Sequence, residues 1–429
     1  MTLLELIADA RPAKITDRER EAPSFIDIFA GCGGLSLGLK RSGWRGLFAV
    51  EKDQFAFDTL EANFLQKDSQ YTFEWPDDVP KTPLDVETLM STHRSSLEKW
   101  IGKVDLLAGG PPCQGFSHAG RRQADDPRNR LFESYLSLVE LLQPKMVLIE
   151  NVRGFTSDFS KSEPGSIRNF SDTLKQRLAI DYYLVDDILD VSDFGIPQSR
   201  RRFFLVGVKK GAVERSSLDS FFAKLKTNAK GFLAQRHLPL KSSARDALSD
   251  LEVRSNGVVP CVDSPGFMAI DYVGPKTTFQ HAMRDGHEGA PGDTRLAKHR
   301  ADISERFSGI IRQCQDDGRL NISISKSLRD KYGLKKVALR VLDPLGPAPT
   351  ITSLPDDLLH YSEPRILTVR ENARLQSFPD WFVFKGKYTT GGAARRREIP
   401  RFTQVANAVP PLMAEQIGEA LLEIMKQQK

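Results

Sequence analysis

Residues 25–39 read FIDIFAGCGGLSLGL, an apolar run, a turn rich in glycine, and the start of a helical pattern. A strand, a glycine turn and a helix in that order open a βα unit. Gly31, Gly33 and Gly34 in the turn let the backbone approach a ligand closely. Glu51 closes the next apolar run, GLFAVEK, about twenty residues on, where a carboxylate can take the hydroxyls of a ribose. Together they read as a site for a nucleoside cofactor. Ser36 occupies the last position of a GxGxxG pattern, which disfavours a dinucleotide and hence a nicotinamide oxidoreductase. A tight turn without any ligand would use the same glycines, so the loop alone does not decide.

Outward from that turn, strand patterns alternate with helical ones from Ser24 to Val208. SFIDIFA, GLFAVEK, VDLLAGG, KMVLIEN, YYLVDDILD and RRFFLVGV are the strands. LSLGLKRSG, QFAFDTLEANF and RLFESYLSLVELLQ are helices between them. That alternation predicts an α/β fold with a mostly parallel sheet flanked by helices. Ligands in such sheets bind at the carboxyl ends of the strands, where AGCGG, Glu51, PPCQ and ENV fall.

The rhythm breaks between Lys209 and Arg340, a span read as a second, irregular domain. Regular character returns after ITSLPDD, and the last helix, PPLMAEQIGEALLEIM, is expected to pack back on the first domain. The expected organisation is a helix and linker over 1–23, a catalytic and cofactor-binding domain over 24–208, the irregular domain over 209–340, and a returning segment over 341–429.

Composition narrows the class. The 429 residues are 40% hydrophobic and 27% charged, as in a globular protein. No run of about eighteen apolar residues is present, so no membrane span is expected. The first twenty residues lack the pattern of an export signal. Cys32, Cys113, Cys261 and Cys314 are too widely spaced for a disulfide framework or a paired zinc knuckle, which points to a reducing cytoplasm. The net charge of +5 is uneven: residues 208–343 hold 24 Lys and Arg against 16 Asp and Glu. A basic segment on a slightly acidic body suits a polyanionic partner, although a solvated basic surface would look the same.

AGGPPCQGFS, residues 108–117, places Cys113 at a strand end behind two prolines that stiffen the loop. Buried packing is the commoner use of a free thiol. Here, however, Glu150 and Asn151 end a neighbouring strand, KMVLIEN. A carboxyl acid beside a thiol nucleophile suits attack on an electron-poor ring with proton delivery to it. His118, five residues along, is the alternative partner in a thiol hydrolase. Arg200, Arg201 and Arg202 precede a strand, so alternate ones face one way and can hold an anion or a developing oxyanion.

Taken together, FIDIFAGCGGLSLGL, GGPPCQGFS, ENV, QSRRR, VRENARLQSFPD and QVANAVPP resemble, in order and spacing, the DNA cytosine-5 methyltransferase family of the bacterial restriction–modification type. The resemblance runs from Phe25 to Glu423 apart from the irregular middle, where that family keeps its target-recognition domain. It implies a Rossmann-like, S-adenosylmethionine-dependent methyltransferase domain. By position, Cys113 matches the nucleophile that adds to carbon 6 of cytosine. Glu150 matches the acid at ring nitrogen 3 and the exocyclic amine, and Asn151 the brace of the Pro-Cys loop. Arg200 and Arg202 match arginines acting at the flipped base. Phe29, Gly31, Gly33, Glu51, Asp85 and Asn407 match cofactor-binding positions. Lys52 stands where some relatives carry an aromatic residue, and Ala408 where others carry Ser.

The resemblance further implies a cytoplasmic, monomeric bacterial enzyme acting on double-stranded DNA, using S-adenosylmethionine and no metal, paired with a restriction endonuclease. A tRNA methyltransferase of the same superfamily, or a DNA-binding protein without catalysis, are the competing readings. Gly115-Phe116-Ser117 and the large middle domain favour DNA over tRNA.

Overall fold

The computed structural model describes residues 22–111, 130–157, 169–212, 215–391, 394 and 397–426. The helix expected before Ser24 and the loop of Cys113 and His118 lie outside the described residues.

Each of the six apolar runs forms a strand of one sheet: β1 (Ser24–Ile28), β2 (Arg45–Val50), β3 (Leu106–Gly109), β4 (Met146–Val152), β5 (Tyr182–Asp190) and β6 (Arg201–Lys209). Their order across the sheet is β2-β1-β3-β4-β6-β5. β1 runs parallel to β2 and β3, and β3 parallel to β4; only β6 is antiparallel to its neighbours β4 and β5. All five residues of β1 are buried, as a parallel strand covered on both faces requires. From β1 the chain moves to β2 on one side and then returns to β3 on the other. The strand order therefore reverses at β1, and a crevice opens above β1 and β3.

Helices α1 (Gly34–Arg41), α2 (Gln54–Phe64), α3 (Val86–Thr92), α4 (Arg130–Leu142) and α5 (Phe170–Leu178) follow successive strands. α2 starts where Asp53 caps it, its carboxylate accepting from the Ala56 N–H at 3.0 Å.

Among the described residues of the irregular stretch, the two longest helices run 15 and 16 residues. α6 (Phe221–Gln235) buries Phe221, Phe222, Leu225, Ala229, Phe232 and Leu233 in the same core as the sheet. α7 (Ala301–Asp316) buries only Ile310, Ile311 and Cys314, in a smaller core shared with Ile324, Leu328, Leu339, Val341, Leu359 and Ile366. Ile303, Phe307, Ile310, Ile311 and Cys314 recur at helical spacing along it, a period that the expectation of an irregular span passed over. A short hairpin pairs Val258–Pro260 with Met268–Ile270.

The returning segment supplies α8 (Val369–Leu375), α9 (Arg401–Asn407) and α10 (Pro411–Lys426). α10 lies against α1 so closely that a Cβ on Gly38 would sit 2.4 Å from Ala414 Cβ. The Trp44 indole N–H donates to the Gly418 carbonyl at 2.9 Å.

α8 is buried along its whole length although it reads VRENARL. Arg370 donates to the carbonyls of Gly292, Pro379 and Phe382. Arg374 meets Asp380 at 2.5 Å and Asp250 at 3.1 Å, all three side chains fully buried. Each guanidinium nitrogen of the two thus finds an acceptor, which is the condition for keeping a charge in a dry core.

Arg374→Ala would take the guanidinium from two buried carboxylates, leaving Asp250 only Tyr272 and Asp380 only Arg284 as side-chain partners among the described residues. It should destabilise the fold by about 3–5 kcal/mol, read by chemical denaturation; a loss under about 1 kcal/mol would contradict this account of the core.

Candidate active site

The strand ends and the returning segment enclose one cleft of about 380 Å³, within the ordinary range for small-molecule sites. Its lining includes Phe29, Gly31, Glu51, Asp85, Glu150, Asn151, Arg200, Arg202 and Asn407. Gly33 sits behind it, and Cys113 lies outside the described residues.

At the β1 end the backbone is strained. Phe29 has φ 59°, a left-handed conformation costing roughly 1–3 kcal/mol without glycine, and Gly31 follows with φ 56°. The turn is closed by Ala30 N–H to the Val50 carbonyl and Gly33 N–H to the Ala30 carbonyl, at 3.0 and 2.9 Å. A Cβ on Gly31 would meet nothing within 4 Å, whereas one on Gly33 would strike the Phe64 ring at 2.6 Å. Gly31 therefore opens the cleft to a ligand, and Gly33 serves packing.

Glu51 fixes that turn from β2. Its carboxylate accepts from the Gly31 N–H at 2.9 Å and the Asp53 N–H at 2.7 Å. Burial raises its pKa, and those backbone donors pull the other way. Each carboxylate oxygen retains room for a further bond, as a pair of ribose hydroxyls requires. Asp85 caps α3 through Thr88 N at 2.8 Å and Thr88 Oγ1 at 3.0 Å. Asn407 is exposed at the last turn of α9, and Lys52 lies at the cleft edge. Glycine cradle, dry carboxylate and adjoining cap suit an adenosine-type ligand.

On the β3–β4 side, Glu150 and Arg202 share a sheet face. Glu150 pairs with Phe204 and Val152 with Arg202, so the acid and the arginine are diagonal neighbours on antiparallel strands. Arg202 Nε stands 3.2 Å from Glu150 Oε1. Burial raises the Glu150 pKa, with the charges of Arg202 and Arg200 opposing. A buried acid inclined to keep its proton is suited to donate it. Gly110 presses on this carboxyl, since a Cβ there would lie 3.2 Å from Glu150 Oε2. Asn151 donates to the Pro111 carbonyl at 3.0 Å, which anchors the chain just where it leaves toward Cys113. Arg200 is buried and donates to the Ala408 carbonyl at 3.3 Å, while Arg201 points away toward Asp190 at 3.6 Å.

Several lining residues carry no motif. Ile351, Thr352 and Ser353 arrive from a distant segment. Asp27, the one acid inside FIDIF, is visible as an anomaly in an apolar strand. It is 1% exposed; Oδ2 accepts from Ser36 Oγ at 2.5 Å and Oδ1 has no hydrogen-bond partner. Among the described residues no cluster of His, Cys, Asp and Glu could hold a metal ion, and no helix is long and apolar enough to cross a membrane.

A family model described as C-5 cytosine-specific DNA methylase matches residues 23–423. The type II methyltransferase M.DdeI of Desulfomicrobium norvegicum is 30% identical over 93% of this chain and 88% of its own length. The type II methyltransferase M1.HphI of Haemophilus parahaemolyticus is 32% identical over 94% of this chain and 87% of its own. Among solved structures, a prophage-encoded DNA modification methyltransferase from E. coli superposes with a TM-score of 0.61 at 27% identity, covering 94% of this chain and all of that one.

Burial lifts the Asp27 pKa from 3.8 to about 7, with the Ser36 hydrogen bond opposing. Between those values the folded protein holds a proton that the unfolded chain has released, so stability falls as pH rises across the window. Asp27→Asn should flatten that decline and gain on the order of 4 kcal/mol at most above about pH 7, at roughly 1.4 kcal/mol per pKa unit. Urea denaturation at about pH 4 and about pH 8 checks this; parallel curves for parent and variant would count against it.

Proposed function

The chain belongs to the family of C-5 cytosine-specific DNA methylases, a DNA (cytosine-5)-methyltransferase of restriction–modification type, and from that premise we propose how its residues divide the work. The Cys113 thiolate adds to carbon 6 of a cytosine turned out of the duplex, forming a C–S bond and making carbon 5 electron-rich. Glu150 holds a proton at ring nitrogen 3, which lets the ring accept the electron pair. Arg202, beside Glu150, and Arg200 set the carboxyl's charge and face the base. After methylation, loss of the carbon 5 proton expels Cys113 and restores the aromatic ring. S-adenosylmethionine, when bound, supplies an electrophilic methyl group on a sulfonium. Gly31, Phe29, Glu51, Asp85 and Asn407 would hold it along the β1–β2 side of the cleft.

The observation that carries this reading is the Asn151–Pro111 bond beside the buried Glu150–Arg202 pair. It fixes Pro111, the last described residue before Cys113, beside the strand end that carries Glu150, which supports the pairing of nucleophile and acid proposed here. Turning the base out costs a few kcal/mol of stacking and pairing.

Residues 209–340 are proposed as the target-reading segment. Their excess of basic residues would supply phosphate contacts, and their loops the base contacts. The enzyme is proposed to act as a monomer on host DNA in the bacterial cytoplasm, protecting it from a partner endonuclease.

Cys113→Ser should reduce methyl transfer at least a thousandfold while DNA binding persists, because an alcohol is a far poorer nucleophile than a thiolate. Duplex DNA carrying 5-fluorocytosine at the target should trap the parent in a complex that survives denaturation, since fluorine cannot leave as a cation. Turnover by Cys113→Ser above about a tenth of the parent's would refute the covalent route. Glu51→Ala should weaken S-adenosylmethionine binding about ten- to a hundredfold by calorimetry, the loss of charge-assisted hydrogen bonds. Unchanged binding would move Glu51 out of the cofactor site.

A further inference from the structure

Behind the cleft, four segments far apart in sequence are joined by two buried side-chain amides. The Ile351 N–H donates to Gln198 Oε1 at 3.1 Å. That fixes Gln198 Nε2 as a donor, to Gln376 Oε1 at 3.0 Å and the Leu375 carbonyl at 3.2 Å. Gln376 must then present its own Nε2 to the carbonyls of Val405 at 2.8 Å and Ala408 at 3.3 Å. The Ala408 carbonyl is also the acceptor for Arg200 Nη2, at 3.3 Å. Both glutamines are fully buried, and every amide in the series has a single permitted orientation.

We propose that Gln376, acting with Gln198, is a positioning residue for Arg200. It sets the height of the carbonyl against which the guanidinium rests, and so couples the base side of the cleft to the cofactor side at Asn407. The proposal rests on the reading that Arg200 acts at the base. Ala408 adjoins Asn407, and Ile351, Arg200, Asn407 and Ala408 all line the cleft. A shift of the amide pair therefore moves both ligand subsites together. Misplacement of a reacting group by about 1 Å can cost on the order of a hundredfold in rate.

The test uses Gln376→Met, of similar length but without hydrogen bonds, Gln376→Glu, and Arg200→Ala in parallel. Gln376→Met should lower kcat at least about tenfold, with KM for DNA changed less than about threefold and a cooperative thermal transition retained. Gln376→Glu carries a pH signature. Facing two carbonyls in a dry site, the introduced carboxyl favours its neutral form, which can still donate to Ala408. The ratio of variant to parent turnover should then fall as pH rises from about 6 to about 9. A purely structural role predicts that turnover and the cooperative thermal transition decline together as pH rises, whereas a positioning role lowers the ratio with the transition retained; a flat ratio, or a ratio that only follows the loss of folded protein, overturns the proposal. So does Gln376→Met with more than about half the parental kcat. If Gln376→Met does not fold, the pH ratio of Gln376→Glu decides alone. Parental turnover by Arg200→Ala would instead overturn the reading of Arg200 on which the proposal rests, and the two failures are told apart by which variant shows them.

Discussion

Two arginines with no access to water hold this molecule together. Arg370 and Arg374 lie in a helix seven residues long, yet reach acceptors in segments beginning near residues 247, 292 and 379. Burying a guanidinium is favourable only when all inward donors are met, and the penalty for a missing partner exceeds the gain from any one contact. The interaction is therefore conditional. It tolerates one arrangement of the surrounding chain and disfavours near alternatives by several kcal/mol. The capping box of Thr368 and Glu371, with Arg365 bonded to Glu371, fixes the start of the same helix. From it the chain runs directly into Gln376 and the floor of the cleft.

The cleft shows the same logic in reverse. Where Arg370 and Arg374 are met by acceptors, the cleft leaves capacity unused: Glu51 has spare lone pairs, Gly31 opens onto empty space, and Asp27 keeps one oxygen without a hydrogen bond. Such deficits cost stability and persist where the surrounding structure over-determines them. Here the over-determination comes from the sheet, which puts strand ends at one level, and from Phe64, Phe378 and Val409, which press on Gly33 and Gly34.

The sheet was legible because its information is local. In FIDIF, KMVLIEN and RRFFLVGV, alternation and apolar runs fix both the strand and the direction in which its end points. Glu150 and Asn151 could thus be placed at a strand end, alternate arginines of 200–202 on one side, and Gly31 in a turn, whereas the meeting of Glu150 with Arg202 appears only in the register of the two strands. The contributions of Ile351, Thr352 and Ser353 could not. They reach the cleft because Ala348 and Pro349 pair with Gln198 and Ser199, a two-residue ladder across some 150 positions that leaves no periodic trace. Asp27 was visible as a lone acid in a buried strand, but its missing partner appears only when the strand is packed. In the middle of the chain α7 does carry a period, in Ile303, Phe307, Ile310, Ile311 and Cys314, but the scattered Gly, Pro, His and Lys around it hid that period when the span was read as a whole.

The seating of α10 on α1 has a consequence for how the protein is made. Trp44 and Gly418, bonded to each other, are separated by 374 residues. On the ribosome, the glycine turn and the strand bearing Glu150 emerge early. α10, which packs on α1, leaves the exit tunnel only after all of them. A nascent chain therefore carries its chemistry well before it can form the cleft that organises it. Competence waits for α9, and a chain cut short before it would lack Asn407 and Ala408 at the cleft however complete its earlier motifs.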